Sequence, residues 1–201
     1  MRLLLALALL LAAAVAAPAP AATADSAPQL LITTSEGPIR LRLAADRAPA
    51  TVANFLRYVD ARRFDGTSFY RALKVGGRSD LGLVQGGIRA EAKRAFPPVP
   101  HEPTSATGLA HSHGAISMAR GAPGSAQGDF FIIVGALPSL DADPKAEGDK
   151  EGYAVFGEVV DGMETVQRIL EAPVSATAGE GAMRGQMLER PVAILSVRRV
   201  D

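Results

Sequence analysis

Three histidines, His101, His111 and His113, are the residues whose type could bind a metal ion, because imidazole is the commonest metal-ligating side chain. His111 and His113 are separated by one residue, and His101 lies ten positions before His111. Neither spacing matches a known metal motif, and no cluster of carboxylates accompanies them. We therefore expect these histidines on solvated loops and predict no metal site.

Nucleophilic and nucleotide-dependent chemistries have little support in the sequence. The chain lacks cysteine, and none of its serines stands in a Gly-x-Ser-x-Gly arrangement. The glycines at positions 179, 181 and 185 have the wrong spacing for a dinucleotide-binding loop, and no Gly-Lys-Ser/Thr triplet is present for a phosphate-binding loop. The sequence thus predicts no cofactor.

The charge balance gives no signature of nucleic acid or anionic lipid. The chain carries 21 basic and 21 acidic residues, mixed along its length. Its basic clusters are short arginine pairs at 62–63 and 198–199, which we interpret as solvated edges. No heptad seam indicates a coiled-coil partner, and we expect a monomer.

The N-terminus has the profile of a secretory signal peptide. Arg2 precedes an unbroken apolar run over residues 3–17, and a stretch rich in alanine and proline follows to residue 24. The run falls short of the ~20 apolar residues that a membrane anchor needs. We predict a signal peptide at 1–24, one mature domain at 25–201, and no membrane contact after the signal is removed. The profile predicts secretion across the inner membrane, which favours the periplasm and leaves extracellular release as the alternative.

The elements that must position any site are mainly short strands. The alternation of Ile39, Leu41 and Leu43 with arginines predicts a strand, and the residues after Pro49 carry the apolar stripe of a helix. Strands are predicted at 29–33, 38–43, 68–73, 81–85, 114–119, 129–134, 153–156 and 191–197, and a second helix at 162–170. Many short strands with Gly- and Pro-rich connections favour a barrel or a sandwich, with 172–185 as a long surface loop.

Several motifs, in order over about 130 residues, resemble the cyclophilin family. They are TSEGPI at 34–39, APATVANF at 48–55, DGTSFYR at 65–71, VQGG at 84–87, GAISMAR at 114–120, DFFI at 129–132 and GYAVFGEVVDGM at 152–163. The resemblance implies a mainly β fold: a closed eight-stranded antiparallel β-barrel capped by two α-helices. It also implies peptidyl-prolyl cis-trans isomerase activity, with the proline site on the outer face of the barrel.

The resemblance implies a catalytic role for Arg71, which matches the family's catalytic arginine, with Gln85 orienting it or bonding the substrate backbone. Isomerisation needs no nucleophile or metal, because a hydrogen bond to the twisted amide weakens its resonance. By position, the substrate-binding residues would be Tyr70, Leu83, Ala119, Arg120, Gly121, Asp129, Phe131, Leu140 and Tyr153. The partners would be proline-containing unfolded or exported polypeptides.

The sequence departs from the family pattern at several positions. Gly82 stands where a pocket phenylalanine is expected, so one aromatic wall is missing unless the inserted loop 74–80 replaces it. Asp129 replaces a glutamine and could orient or neutralise Arg71, Tyr70 replaces a histidine, and Ser139 stands where some members carry tryptophan. An alternative hypothesis is therefore a module or holdase that binds proline-containing segments with little turnover.

Overall fold

A closed antiparallel barrel forms the body of the protein in the computed structural model, which describes residues 27–200. The predicted signal peptide lies outside these residues. The strands are β1 (Gln29–Thr34), β2 (Gly37–Leu43), β3 (Thr67–Lys74), β4 (Gly82–Gly87), β5 (Ala115–Met118), β6 (Asp129–Val134), β7 (Val155–Asp161), β8 (Val174–Ser175) and β9 (Met187–Val200). The helices are α1 (Pro49–Asp60), α2 (Thr104–Thr107) and α3 (Met163–Glu171).

Eight strands close the barrel in the order β1-β2-β7-β5-β6-β4-β3-β9, and β1 pairs with β9 to complete the circle. The two-residue β8 adds to the edge of β9. Because successive side chains of a strand point to opposite faces, alternate residues fill the interior, as with Leu30 and Ile32 on β1. The fold predicted from the resemblance is confirmed.

Two amphipathic helices cover the barrel. In α1, which begins at Pro49 and has no N-terminal side-chain cap, Phe55 is fully buried against Phe64, Phe130 and Phe156. In α3, Val166, Ile169 and Leu170 are fully buried. No helix within the described residues is long and apolar enough to cross a membrane.

The structure corrects the predicted elements in four places, one of which is the strand predicted at 191–197, which spans Met187–Val200. A third, one-turn helix, α2, ends in a left-handed Gly108. The strand predicted at 153–156 instead begins at Val155 and continues to Asp161. The predicted surface loop 172–185 contains β8 and a 3-10 turn, and part of it folds over the barrel's outer face.

Candidate active site

A groove of about 930 Å³ on the outer face contains all eleven residues that the sequence singled out. They are Tyr70, Arg71, Leu83, Gln85, Ala119, Arg120, Gly121, Asp129, Phe131, Leu140 and Tyr153. The structure thus brings every one of them to a single surface. Their individual roles remain predictions.

Strand register places the central residues in one row. Arg71 on β3 pairs with Gln85 on β4, and Gln85 pairs with Phe131 on β6. Adjacent strands are about 4.8 Å apart, so Arg71 and Phe131 originate roughly 10 Å apart with Gln85 between them. A cationic side chain and an aromatic ring therefore stand on either side of Gln85 in the groove.

The apolar end of the groove is built around Phe131. Its ring meets the Tyr153 ring edge-on, with 5.3 Å between centroids, and both rings belong to a small apolar cluster that also includes Leu83 and Leu140. The neighbouring Phe130 points into the barrel and is fully buried. The adjacent phenylalanines thus divide between core and groove, as the alternation of side chains along a strand requires.

Neutral amide oxygens hold Arg71 in place. Its Nη1 donates to Gln85 Oε1 at 2.7 Å, while Nε and Nη2 both donate to Gln186 Oε1, at 2.8 and 2.6 Å. Burial lowers the pKa of Arg71 from its ordinary value, but an arginine titrates so far above neutrality that it stays charged. Because these acceptors are neutral, the charge of the guanidinium is not offset by a carboxylate in direct contact.

A directed chain of hydrogen bonds runs from Arg71 to Asp129. Gln85 accepts from Arg71 through Oε1 and donates through Nε2 to the Tyr70 hydroxyl, 2.9 Å away. The hydroxyl in turn donates to Asp129 Oδ1 at 3.1 Å. Burial and the Asp129 carboxylate raise the pKa of Tyr70 far above its usual range, so the phenol remains a donor. Asp129 therefore acts on Arg71 through two intervening side chains and does not neutralise it by contact.

Backbone groups hold the Asp129 carboxylate. Arg89 and Ala90 adopt φ angles of 52° and 55°, which side-chain-bearing residues rarely do, and their N–H groups donate to Asp129 at 2.7 and 3.0 Å. Burial nevertheless raises the pKa of Asp129, with these donors opposing the shift. Each left-handed residue costs about 1–3 kcal/mol, which the carboxylate helps to offset.

The opposite wall is formed by the segment from Ala119 to Gly121. The Arg120 side chain packs over the Tyr153 ring, with its guanidinium carbon 4.9 Å from the centroid, and donates to Asp149 at 2.6 Å. This arginine is already paired, so it offers the groove mainly its backbone. The small residues on either side of Arg120 leave the groove open.

The alignment of Gly82 with a pocket phenylalanine suggested that this position faces the groove. In the structure it does not line the groove. A Cβ added there would lie 2.0 Å from the Leu73 carbonyl oxygen and 3.1 Å from the Leu170 side chain. No residue of loop 74–80 lines the groove, so that loop does not supply a substitute wall. Apolar surface comes instead from Leu73, Met183 and Met187.

The segment 179–187 is the part of the site that the sequence did not reveal. Its Gly179, Glu180, Ala182, Met183 and Met187 line the groove. The Ala/Gly-rich composition predicted only a surface loop. The one available signal was Gln186, a polar amide directly before a strand that lies outside the motifs carrying the resemblance.

His111 contradicts the expectation of solvated loop histidines. It is 1% exposed, with Nδ1 2.6 Å from Asp141 and Nε2 3.0 Å from the Ser117 hydroxyl. Burial lowers the pKa of its imidazole, and its ring stacks beneath Phe131 at 5.8 Å. This geometry resembles a hydrolytic triad, but Ser117 is fully buried, so no substrate reaches it. In the described part of the chain, no group of three or more His, Asp or Glu side chains could hold a metal ion.

Solved structures define the class of fold. The crystal structure of a cyclophilin type peptidyl-prolyl cis-trans isomerase from Cryptosporidium parvum superimposes with a TM-score of 0.67, covering 87% of this chain and 98% of that chain at 21% identity. A second crystal structure of that protein, obtained in the presence of the dipeptide Ala-Pro, gives a TM-score of 0.66 at 21% identity, covering 86% of this chain and 99% of that chain. The barrel is therefore a cyclophilin fold.

Sequence comparisons identify the family. The model for "Cyclophilin type peptidyl-prolyl cis-trans isomerase/CLD" matches residues 29–199. The peptidyl-prolyl cis-trans isomerase of Acinetobacter baylyi is 33% identical over 82% of this chain and 81% of its own length. Isomerase A of Dickeya dadantii is 38% identical, with 73% of each chain covered, and isomerase B of Escherichia coli is 33% identical, with 82% and 94% covered. The chain belongs to the cyclophilin-type peptidyl-prolyl cis-trans isomerase family and is an enzyme of that class.

Proposed function

We propose that the protein accelerates X-Pro rotation without covalent chemistry, and that Arg71 donates a hydrogen bond to the nitrogen of the twisted prolyl amide. The observation that carries this proposal is the row Arg71–Gln85–Phe131 across three strands. It sets a charged donor beside an apolar pocket. We further propose that the substrates are exported polypeptides, for which the signal-like N-terminus is the support.

Rotation about the X-Pro bond requires little more than a hydrogen-bond donor beside an apolar pocket, which the row Arg71–Gln85–Phe131 provides. Resonance gives the amide a rotational barrier of about 18–20 kcal/mol, and uncatalysed exchange takes roughly 10–100 s. Millisecond exchange needs about four to five decades of acceleration, or about 5.5–7 kcal/mol. Twisting the bond localises the lone pair on nitrogen, so a donor at that nitrogen binds the transition state more tightly than the ground state.

Arg71 suits this role because it is half-buried and has donors to spare. A guanidinium carries five N–H donors, and three go to Gln85 and Gln186, leaving two. A hydrogen bond from a charged donor contributes roughly 1.5–3 kcal/mol, and more where water is excluded. Phe131, Leu83 and Tyr153 would grip the proline ring while the amide rotates.

One experiment separates the enzyme from a module that only binds proline segments. Residues 25–201 are added in substoichiometric amounts to an Ala-Pro-containing peptide, and exchange NMR records the cis-trans rate while chemical shifts record binding. We expect rate acceleration together with weak binding. Binding without acceleration would overturn the catalytic proposal and leave the holdase as the account.

The export proposal has its own test. Expression of residues 1–201 in a Gram-negative host, followed by osmotic-shock fractionation and mass spectrometry of the N-terminus, should give a periplasmic protein that begins near residue 25. A cytoplasmic protein that retains Met1 would contradict export and leave the catalytic proposal untouched.

A further inference from the structure

Gln186 meets Arg71 in a way that the isomerase motifs do not account for. A single oxygen, Gln186 Oε1, accepts from both Nε and Nη2 of Arg71, at 2.8 and 2.6 Å. It therefore fixes one whole edge of the guanidinium. Gln85 holds only one nitrogen, Nη1. Of the two glutamines, Gln186 does more to define the plane in which the remaining N–H groups point.

The orientation of the Gln186 amide is itself determined by its surroundings. Its Nε2 donates to the Ala182 carbonyl oxygen at 2.7 Å. An amide flipped end for end would set its NH₂ group against Arg71, which has only donors, and its oxygen against the carbonyl. The network therefore allows one orientation, with the oxygen on Arg71.

The backbone of Gln186 is anchored next to the residue it holds. The Ala72 N–H donates to the Gln186 carbonyl oxygen at 2.9 Å, and the following residue, Met187, pairs with Arg71 in the β3–β9 ladder. Ala72 follows Arg71 directly in β3. The side chain of Gln186 therefore bonds Arg71 while its backbone bonds the next residue of the same strand. A rigid anchor of this kind limits the rotamers of Arg71.

The acceptor is neutral, and this matters for a catalytic donor. Elsewhere in the described chain, Arg120 pairs with the carboxylate of Asp149 and Arg198 pairs with that of Asp65. The described hydrogen bonds of Arg71 go to amide oxygens alone. An amide orients the guanidinium and leaves its charge unbalanced. A carboxylate would orient the guanidinium but would also offset its charge.

We propose that Gln186 is a positioning residue for isomerisation: it fixes the edge of Arg71 and presents the two uncommitted N–H groups to the prolyl amide. Through Gln186, the segment 179–187 becomes part of the active site and not merely its rim. This inference rests on the proposed role of Arg71 as donor.

The parent protein allows a first test that needs no substitution. In ¹⁵N NMR spectra at low temperature, the Nε–H of Arg71 should exchange with water markedly more slowly than that of Arg78, which donates to the exposed carboxylate of Asp80. Exchange of Arg71 as fast as that of Arg78 would overturn the proposal.

Variants then link position to rate. Gln186→Met keeps the length of the side chain but removes the acceptor, and we expect the isomerisation rate to fall roughly tenfold, as loss of one well-aligned interaction implies, while the peptide Kd stays within about threefold. Gln186→Glu restores an acceptor oxygen but adds negative charge, so its rate should lie between those of Gln186→Met and the parent. Gln167→Met, on the outer face of α3, is the matched control and should keep the parental rate.

A double variant distinguishes this proposal from the one it rests on. If Gln186 acts through Arg71, Gln186→Met in an Arg71→Ala background should cause no further loss. Suppose that Arg71→Ala is slow, while Gln186→Met keeps the parental rate and leaves the Arg71 Nε–H signal unchanged. This combination would overturn the positioning role of Gln186 and leave the donor mechanism standing. A parental rate in Arg71→Ala would instead overturn the donor mechanism.

Discussion

The side-chain amide of Gln85 donates from Nε2 to the hydroxyl oxygen of Tyr70 across 2.9 Å. Tyr70 then donates to Asp129, so a tyrosine where the family pattern has histidine links Gln85 to a partly buried carboxylate. Because the one hydroxyl proton of Tyr70 goes to Asp129, its oxygen can only accept from Gln85, which turns the NH₂ end of that amide toward Tyr70. The amide oxygen is thereby kept on the cation.

Tyr70→Phe tests this chain of hydrogen bonds. The substitution leaves Gln85 without its acceptor and Asp129 without one donor, so we expect the free energy of unfolding to fall by about 1–2 kcal/mol. The isomerisation rate should fall about three- to tenfold with little change in peptide affinity, since Arg71 becomes less constrained. Urea denaturation and exchange NMR measure the two effects, and parental values for both would contradict the role assigned to Tyr70.

Gly82→Ala tests whether this position is part of the pocket or of the barrel wall. The added Cβ would lie 2.0 Å from the Leu73 carbonyl oxygen, so β4 must shift. We expect a loss of about 2 kcal/mol or more, equivalent to a drop in Tm of roughly 4 °C or more for a domain of this size. Gly121→Ala is the control, because its Cβ would meet only Ser125 Oγ at 3.5 Å. Equal Tm values for the two variants would show that the barrel accommodates a Cβ at position 82 without loss of stability, which would contradict the prediction.

His111 should make stability depend on pH. Burial lowers the pKa of His111 in the folded state, so below the ordinary value of about 6.5 the unfolded chain binds the proton more readily. The contribution of neutral His111 to the free energy of unfolding is therefore present above about pH 6.5 and is lost as the pH falls below that value. The free energy of unfolding from urea titrations should therefore decrease between about pH 7.5 and pH 5, and the decrease should be smaller in His111→Gln.

The exposed His113 provides the control for the pH experiment. Its Nδ1 accepts from the Gly135 N–H, so His113→Gln removes a surface imidazole and its hydrogen bond while leaving the buried imidazole in place. The same dependence on pH in His111→Gln and in the parent would show that the buried imidazole is not its source.

Short-range patterns in the sequence predicted a barrel or a sandwich, and the resemblance carried by the ordered motifs then implied the closed barrel and eleven residues of its groove. Alternation set the faces of β2, and the adjacent phenylalanines of β6 had to divide between core and groove. The motif from Phe69 to Arg71 then identified Arg71 as the proposed donor. These features need no knowledge of which strands pair.

The features that depend on long-range contact could not be predicted. Gln186 reaches Arg71 only because β9 pairs with β3 in one register, and a segment of alanine and glycine carries no pattern that specifies this. Similarly, the burial of His111 depends on Asp141, 30 residues further along the chain. Gly82 was misassigned because alignment gives a position in the sequence but not the direction of its Cα–Cβ bond.

The most direct test of the account is exchange NMR of an X-Pro peptide with residues 25–201 and with the Arg71→Ala variant, using Arg199→Ala as a surface control. Arg199 pairs with Asp60 in an exposed position, so its removal should leave the rate unchanged. We predict that Arg71→Ala, folded as judged by its amide spectrum, loses at least about tenfold in rate, or about 1.4 kcal/mol of transition-state stabilisation. A folded Arg71→Ala variant with the parental rate would contradict the claim that Arg71 is the catalytic donor.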